Sequence, residues 1–198
     1  MESAILMAAG LGTRMRPLTD NTPKPLIKAA EKPLIETVID GLWQHGVREI
    51  YVVTGYLAEQ FDYLAEKYPG LILVNNEEYT VKNNISSIHA VCQYMGKTDC
   101  FICEADLYVS DPAIFDIPHD KSCYYGKYVA GHSDDWVFDM DGERIVRVGK
   151  GGDDTYNMVG ISYFKADDAA YIADAILKAY KEPGHETLFW DEIVDRCL

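Results

Sequence analysis

Ala4-Ile5-Leu6-Met7-Ala8-Ala9-Gly10-Leu11-Gly12-Thr13-Arg14-Met15-Arg16-Pro17-Leu18-Thr19 is the stretch on which the reading of this chain turns. Its first four residues are a short apolar run, which predicts a β-strand. Two glycines follow two apart, then two arginines two apart, and after a polar turn comes Thr22-Pro23-Lys24-Pro25-Leu26. Glycine lets the backbone come close to a bulky anion and take up positive φ. Successive N–H groups in such a turn form a concave anion site. Arg14, Arg16 and Lys24 bring positive charge to the same place. The spacing differs from two common phosphate loops. Met15 stands where a dinucleotide fingerprint has its third glycine, and no Gly-Lys-Ser/Thr follows. A lone glycine pair after a strand is often only a tight turn. The composite of glycine turn, arginines and Pro-Lys-Pro step points instead to phosphate binding.

Outward from this stretch, strands alternate with helices. Residues 33–44 predict a helix, with Leu34, Val38, Ile39 and Leu42 at helical spacing and Gly46 as its stop. Residues 49–54 read as a strand, 58–67 as a second helix and 71–74 as a third strand. This alternation predicts a parallel sheet with helices on both faces, a fold that binds ligands at the carboxyl ends of its strands. Residues 85–94 predict a helix whose start carries Asn83, Asn84, Ser86 and Ser87, all good capping types. The apolar run 101–106 is the next strand, with Asp106 at its carboxyl end. A carboxylate facing bound phosphates there needs a divalent cation between them; the simpler reading is a turn-starting aspartate. From Ser122 the pattern is β-rich, with strands at 122–130, 136–138, 144–148 and 160–164 and a hairpin signal at Asp141-Gly142. A helix over 166–180, broken by Pro183-Gly184, and a last one holding residues 189–194 complete the chain.

The 198 residues fit one domain, 1–198, with no linker or repeat. Hydrophobic content of 48% and charged content of 25% are those of an ordinary globular protein. No apolar run approaches a membrane span, and Met1-Glu2-Ser3 has no signal-peptide pattern, so a cytoplasmic location is expected. The net charge of −14 repels nucleic acid and anionic membranes, so neither is expected as a partner. Any phosphate site must then be a local positive island. Cys100 and Cys103 form a C-x-x-C, but residues three apart on a strand face opposite ways. Ordinary buried thiols are expected there.

Residues 8–19 followed by 22–26 resemble the signature of nucleotidyltransferases that make sugar nucleotides and CDP-alcohols. Further pieces are similar to bacterial choline-phosphate cytidylyltransferases, within the sugar-nucleotidyltransferase-like superfamily. These are residues 53–64, Tyr79 with Asn83-Asn84, Asp106, Trp136 and Phe189-Trp190-Asp191. The resemblance implies an α/β, Rossmann-like nucleotidyltransferase fold, with a mixed, mostly parallel sheet and a β-rich second half that binds the acceptor. It implies CMP transfer from CTP to phosphocholine with Mg²⁺ as cofactor. Asp106 and Asp191 match the metal aspartates, and Trp136 and Trp190 match a choline cage. Ala8, Ala9, Gly10, Leu11, Gly12, Thr13 and Arg14 are expected on the nucleotide phosphates, and Tyr79, Asn84 and Ser87 at the base and ribose. Lys24 is expected to meet the α-phosphate and the incoming phosphate. Relatives usually continue with further strand and helix after Asp191, so the chain is read as a compact version or as a piece of a longer polypeptide. Fusion to, or cooperation with, a choline kinase is one expectation.

Three other readings stay open. An acceptor such as phosphoethanolamine or an aminophosphonate carries a primary ammonium, which wants carboxylates more than aromatic faces; the two tryptophans lean toward choline. A sugar-1-phosphate nucleotidyltransferase would use those aromatics as packing. A non-catalytic nucleotide-binding regulatory domain is disfavoured by Lys24, Asp106 and Asp191 together.

Overall fold

The computed structural model describes residues 2–198. Strand β1 (Glu2–Met7) lies inside a six-stranded sheet, flanked in parallel by β4 (Glu49–Thr54) and β6 (Asp99–Glu104). Beyond β4 runs β5 (Leu71–Asn75), also parallel. On the other side β8 (Arg144–Phe164) pairs antiparallel with β6, and β7 (Cys123–Asp141) forms the edge. The order is β5-β4-β1-β6-β8-β7, so both halves of the chain feed one sheet. A small hairpin of β2 (Lys28–Ala29) and β3 (Lys32–Pro33), not expected from the sequence, turns through Ala30 and Glu31 at positive φ.

Alternation along β1 divides the core. Ala4, Leu6 and Ala8 pack under α1 (Leu34–His45), with Ile35, Val38, Ile39 and Leu42. Ile5, Met7 and Ala9 face α3 (Ile85–Val91), α4 (Ala166–Ala179) and α5 (Trp190–Cys197), meeting Ile88, Ile176 and Ile193. Cys100 and Cys103 fall in these two opposite layers, and all five cysteines are free. Helix α1 ends at Gly46, whose φ of 105° lets its N–H reach back to Leu42 and Trp43.

Several elements differ from the sequence reading. Residues 58–67 divide into a 3₁₀ turn (Ala58–Phe61) and α2 (Asp62–Lys67), with Phe61 and Leu64, three apart, both buried. The helix expected over 85–94 ends at Val91 and tightens into a 3₁₀ turn, Cys92–Tyr94. The four strands expected in the second half are two long bent ones. Val137 and Phe138 pair with Gly149 and Val148 on one side and with Asn157 and Tyr156 on the other. Register shifts and positive-φ glycines at 131, 151 and 160 bend the ribbon, so glycines that look like strand ends lie inside strands. No helix among the described residues is long and apolar enough to cross a membrane.

Candidate active site

The loop leaving β1 at its carboxyl end is held in one shape by its own glycine and by distant side chains. Gly12 has φ 62°, and a Cβ there would meet Thr19 Cγ2 at 2.9 Å and Lys24 Cβ at 3.3 Å. Buried Thr19 donates from its hydroxyl to the Gly12 carbonyl at 2.8 Å. The Tyr56 hydroxyl donates to the carbonyls of Thr19 (3.0 Å) and Asp20 (2.8 Å), and Gln60 donates to that of Asn21 (3.0 Å). The Ala9 carbonyl accepts from the Tyr56 N–H at 3.2 Å. Between the two limbs lies a cavity of about 230 Å³. Ala8, Gly10, Gly12, Thr13 and Arg14 line one wall, and Lys24, Glu104 and Asp106 the other. Ala9, packed in the core, and Leu11 lie outside that lining, and Arg16 turns to the surface, 3.5 Å from Asp20.

Glu104 and Asp106 line the cavity opposite the loop. Asp191 lies outside that lining and acts on Glu104 through its charge. Among the described residues, no group of three or more His, Cys, Asp or Glu side chains is placed to hold a metal ion. Lys24 forms an ion pair with Asp106. Glu104, two residues earlier, is pushed up to about 8 by burial and by the charges of Asp106 and Asp191, with Lys24 opposing. Asp191, in the first turn of α5, is buried and pushed up to about 7 by that burial, against a hydrogen bond from the Tyr124 hydroxyl at 3.1 Å. Lys24 and Arg14 are the cations that line this cavity. Lys24 is paired with Asp106, and burial holds Glu104 and Asp191 toward their neutral forms.

The side chains expected around the base do other work in part. Tyr79 packs over Gly55, where a Cβ would meet its ring at 2.8 Å and the Ala9 carbonyl at 2.9 Å. Ser86 and Ser87 do not cap α3; their hydroxyls accept from Asn76 at 2.9 and 3.2 Å. Asn84 also makes no side-chain cap, because its Oδ1 accepts the Trp190 N–H at 3.0 Å. Capping gives way to tertiary hydrogen bonds that fix α3 against its neighbours.

Of the two tryptophans expected in an ammonium cage, one stands in the core. Trp190 is 3% exposed, with ring centroids of Phe164 and Tyr124 at 6.0 and 6.2 Å, and its Nε1 has no partner among the described residues. Trp136 is half-buried and pairs with Phe189, centroids 5.1 Å apart. The Lys150 ammonium lies 4.8 Å from the Phe189 centroid and 5.9 Å from that of Trp136. This pair of faces already receives a cation.

A larger hollow of about 990 Å³ opens between the β7–β8 hairpin, α4 and α5. Its cations are engaged, Lys121 with Glu143 and Arg144 with the Leu198 carbonyl, each at 2.9 Å. It contains none of Glu104, Asp106 and Asp191, and the smaller cavity is the one equipped for chemistry on phosphates.

The profile of the MobA-like NTP transferase domain family matches residues 4–121. The 2-aminoethylphosphonate cytidylyltransferase of Lancefieldella rimae is 57% identical over 197 residues, 99% of this chain and 80% of that protein. The choline-phosphate cytidylyltransferase of Streptococcus pneumoniae is 37% identical over 195 residues, 96% of this chain and 82% of that one. The chain belongs to the cytidylyltransferases of the MobA-like nucleotidyltransferase superfamily. A solved structure of CTP:phosphocholine cytidylyltransferase from Streptococcus pneumoniae superposes with a TM-score of 0.89 at 35% identity, covering 98% of this chain and 84% of that one.

For this enzyme, the sequence alone assigns no role to Thr19, Tyr56, Glu104 or Tyr124. Glu104 had a signal, since residues two apart on an extended chain share a face and Asp106 follows it. Tyr56 and Tyr124 had none, because their partners lie 37 and 67 residues away.

Proposed function

We propose that this cytidylyltransferase transfers CMP from CTP to a small phosphonate or phosphate bearing an amine, with 2-aminoethylphosphonate as the first candidate. The observation that carries the choice of acceptor is the burial of Trp190. With that indole in the core, the leaning toward a quaternary ammonium loses one of its two supports. The primary ammonium of Lys150 over Phe189 and Trp136 is the same chemistry as an aminoethyl group. The 57% identical relative, named for 2-aminoethylphosphonate, supports the same choice. Phosphocholine is the second reading, favoured by the surviving Trp136–Phe189 pair and by the 37% relative.

The donor set suits Mg²⁺. This ion takes hard oxygen ligands and is commonly held by one or two carboxylates plus substrate phosphates. Asp106 and Asp191 would hold it, with Glu104 beside them. Asp191 is buried with no cationic side chain paired to it among the described residues, as a carboxylate awaiting a cation should be. When bound, the metal supplies Lewis-acid neutralisation of the α-phosphate.

The chain's own groups do the rest. N–H groups of Gly10, Gly12 and Thr13 with the Arg14 guanidinium cradle the departing β- and γ-phosphates. An oxygen of the acceptor's phosphonate attacks the α-phosphorus in line, and the bond from that phosphorus to the bridging oxygen of the β-phosphate breaks. Pyrophosphate carries away the electron pair. No general base is needed, because phosphate-type oxygens are already largely ionised at neutral pH. Lys24, released from Asp106, stabilises charge on the α-phosphate and steers the attacking oxygen. Tyr79 packs at the base side, with Asn84 and Ser87 bracing the floor beneath it. Positioning and electrostatics carry such a reaction.

Pyrophosphate release tests this with CTP or UTP paired with 2-aminoethylphosphonate, phosphoethanolamine, phosphocholine or glucose-1-phosphate. The expected result is fastest release for CTP with 2-aminoethylphosphonate. Fastest release with phosphocholine would install the second reading, and preference for the sugar phosphate would overturn both.

A further inference from the structure

Asp191 belongs to a helix of eight residues whose first turn is fastened both from outside and by its own capping bond. The Trp190 N–H donates to Asn84 Oδ1 at 3.0 Å and the Phe189 N–H to Glu192 Oε2 at 2.7 Å. Asn83 holds the approach to that turn, its N–H on the Glu186 carbonyl at 2.8 Å and its Nδ2 on that of Thr187 at 3.1 Å. These bonds place the backbone. The carboxylate itself is met by the Tyr124 hydroxyl, which donates to Oδ1 at 3.1 Å.

Tyr124 is well built for orienting another group. Its ring is buried, with centroids of Phe164 at 5.8 Å and of Phe138 and Trp190 at 6.2 Å, so the direction of the hydroxyl is fixed by packing from three sides. The two metal aspartates therefore differ in kind. Asp106 is held by a lysine, a cation that a metal ion has to displace. Asp191 is held by a neutral donor that can stay while a metal ion binds.

We infer that Tyr124 is a positioning residue for the metal, holding Oδ1 of Asp191 so that the other carboxylate oxygen is presented to the ion. The inference rests on the reading of Asp191 as a magnesium ligand. Hydrogen-bond partners of metal ligands set ligand orientation, and losing one weakens metal affinity.

The test uses Mn²⁺ alone as probe, titrated by electron paramagnetic resonance into the full chain, into Tyr124→Phe and into Asp191→Asn. Tyr124→Phe keeps the ring and its three aromatic contacts and removes only the hydroxyl. It should weaken Mn²⁺ binding by about tenfold and raise the Mg²⁺ needed for half-maximal turnover by a like factor. At saturating Mg²⁺, kcat should be nearly restored, a split that a merely structural role does not produce. If Asp191→Asn loses Mn²⁺ and Tyr124→Phe binds it as tightly as the parent, positioning by Tyr124 is wrong and the metal site stands. If Asp191→Asn itself binds Mn²⁺ like the parent, the metal reading falls and the inference with it.

Discussion

In the proposed reaction Lys24 is the side chain that changes partner, from Asp106 to the reacting phosphates. It pairs with Asp106, each side chain partly exposed at 32% and 25%. An ion pair so open to water contributes at most about 1 kcal/mol to folding. Lys24→Ala should therefore leave the melting temperature nearly unchanged. Loss of one preorganised charge at the reacting phosphate should lower kcat by about 10²–10³-fold. Full turnover in that variant would remove Lys24 from the mechanism. The two tryptophans separate in the same way. Trp136→Ala should weaken acceptor binding by about 1 kcal/mol, read as a raised KM for the acceptor with KM for CTP unchanged. Trp190→Phe deletes an N–H unpartnered among the described residues and keeps an aromatic ring in the core, so the acceptor KM should stay as it is. A large rise in acceptor KM for Trp190→Phe would return that residue to the ammonium site and revive the choline reading.

Among the elements, the junction of β6 and α4 ties the parallel half of the sheet to the helix behind it. Asp99 opens β6, accepting from the Ala166 N–H at 2.8 Å and the Tyr163 hydroxyl at 3.0 Å, and it pairs with Lys165. Burial pushes its pKa up, but Lys165, the Ala166 amide and Tyr163 together outweigh burial and hold it below the ordinary range. A carboxyl lowered on folding contributes stability that is complete above its unfolded pKa and is lost as pH falls through the folded one. Asp99→Asn should thus be less stable than the parent by about 1–3 kcal/mol at pH 7. That gap should narrow below about pH 4, near the unfolded value. Urea unfolding at both pH values reads it, and a gap independent of pH would show that the charge of Asp99 is not what matters. The same scale explains what the sequence revealed. The alternation Ala4, Leu6, Ala8 against Ile5, Met7, Ala9 and the spacing of Val38, Ile39 and Leu42 are local patterns, and β1 and α1 follow from them. Residues 123–164 mislead because Gly131, Gly151 and Gly160 punctuate strands that continue through them. Asn84 and Ser87 look like caps because a cap is the nearest use for such side chains, whereas Asn76 and Trp190 claim them across the fold. Trp190 is likewise placed by Tyr124 and Phe164, neighbours in space that no local spacing reveals.

For the whole molecule, the cavity is lined by the chain up to just past β6 and is influenced electrostatically from the last helix. The glycine loop and Lys24 come from the first strand's exit, Glu104 and Asp106 from the middle of the sheet, and Asp191 acts on Glu104 from the last helix. Lys24, the cation paired with Asp106, lies among acids that burial holds toward neutrality, in a chain of net charge −14. A nucleotide alone adds negative charge there, and a divalent ion alone lacks the phosphate oxygens that complete its shell. If the site is the one proposed, the two together would satisfy each other and bridge elements at opposite ends of the sequence, so they should protect the fold cooperatively. A ligand at one hundred times its Kd stabilises by about 2.7 kcal/mol. For a chain of this length, that corresponds to a rise in melting temperature of about 5–10 °C. Melting curves with Mg²⁺ alone, CTP with a chelator, and Mg²⁺ with CTP should show the large shift only for the pair. In Asp191→Asn the added effect of Mg²⁺ should shrink toward that of CTP with chelator. Equal shifts with and without Mg²⁺ in the parent chain would mean that the carboxylates do not hold the ion, and the lysine and loop would then have to carry the nucleotide by themselves.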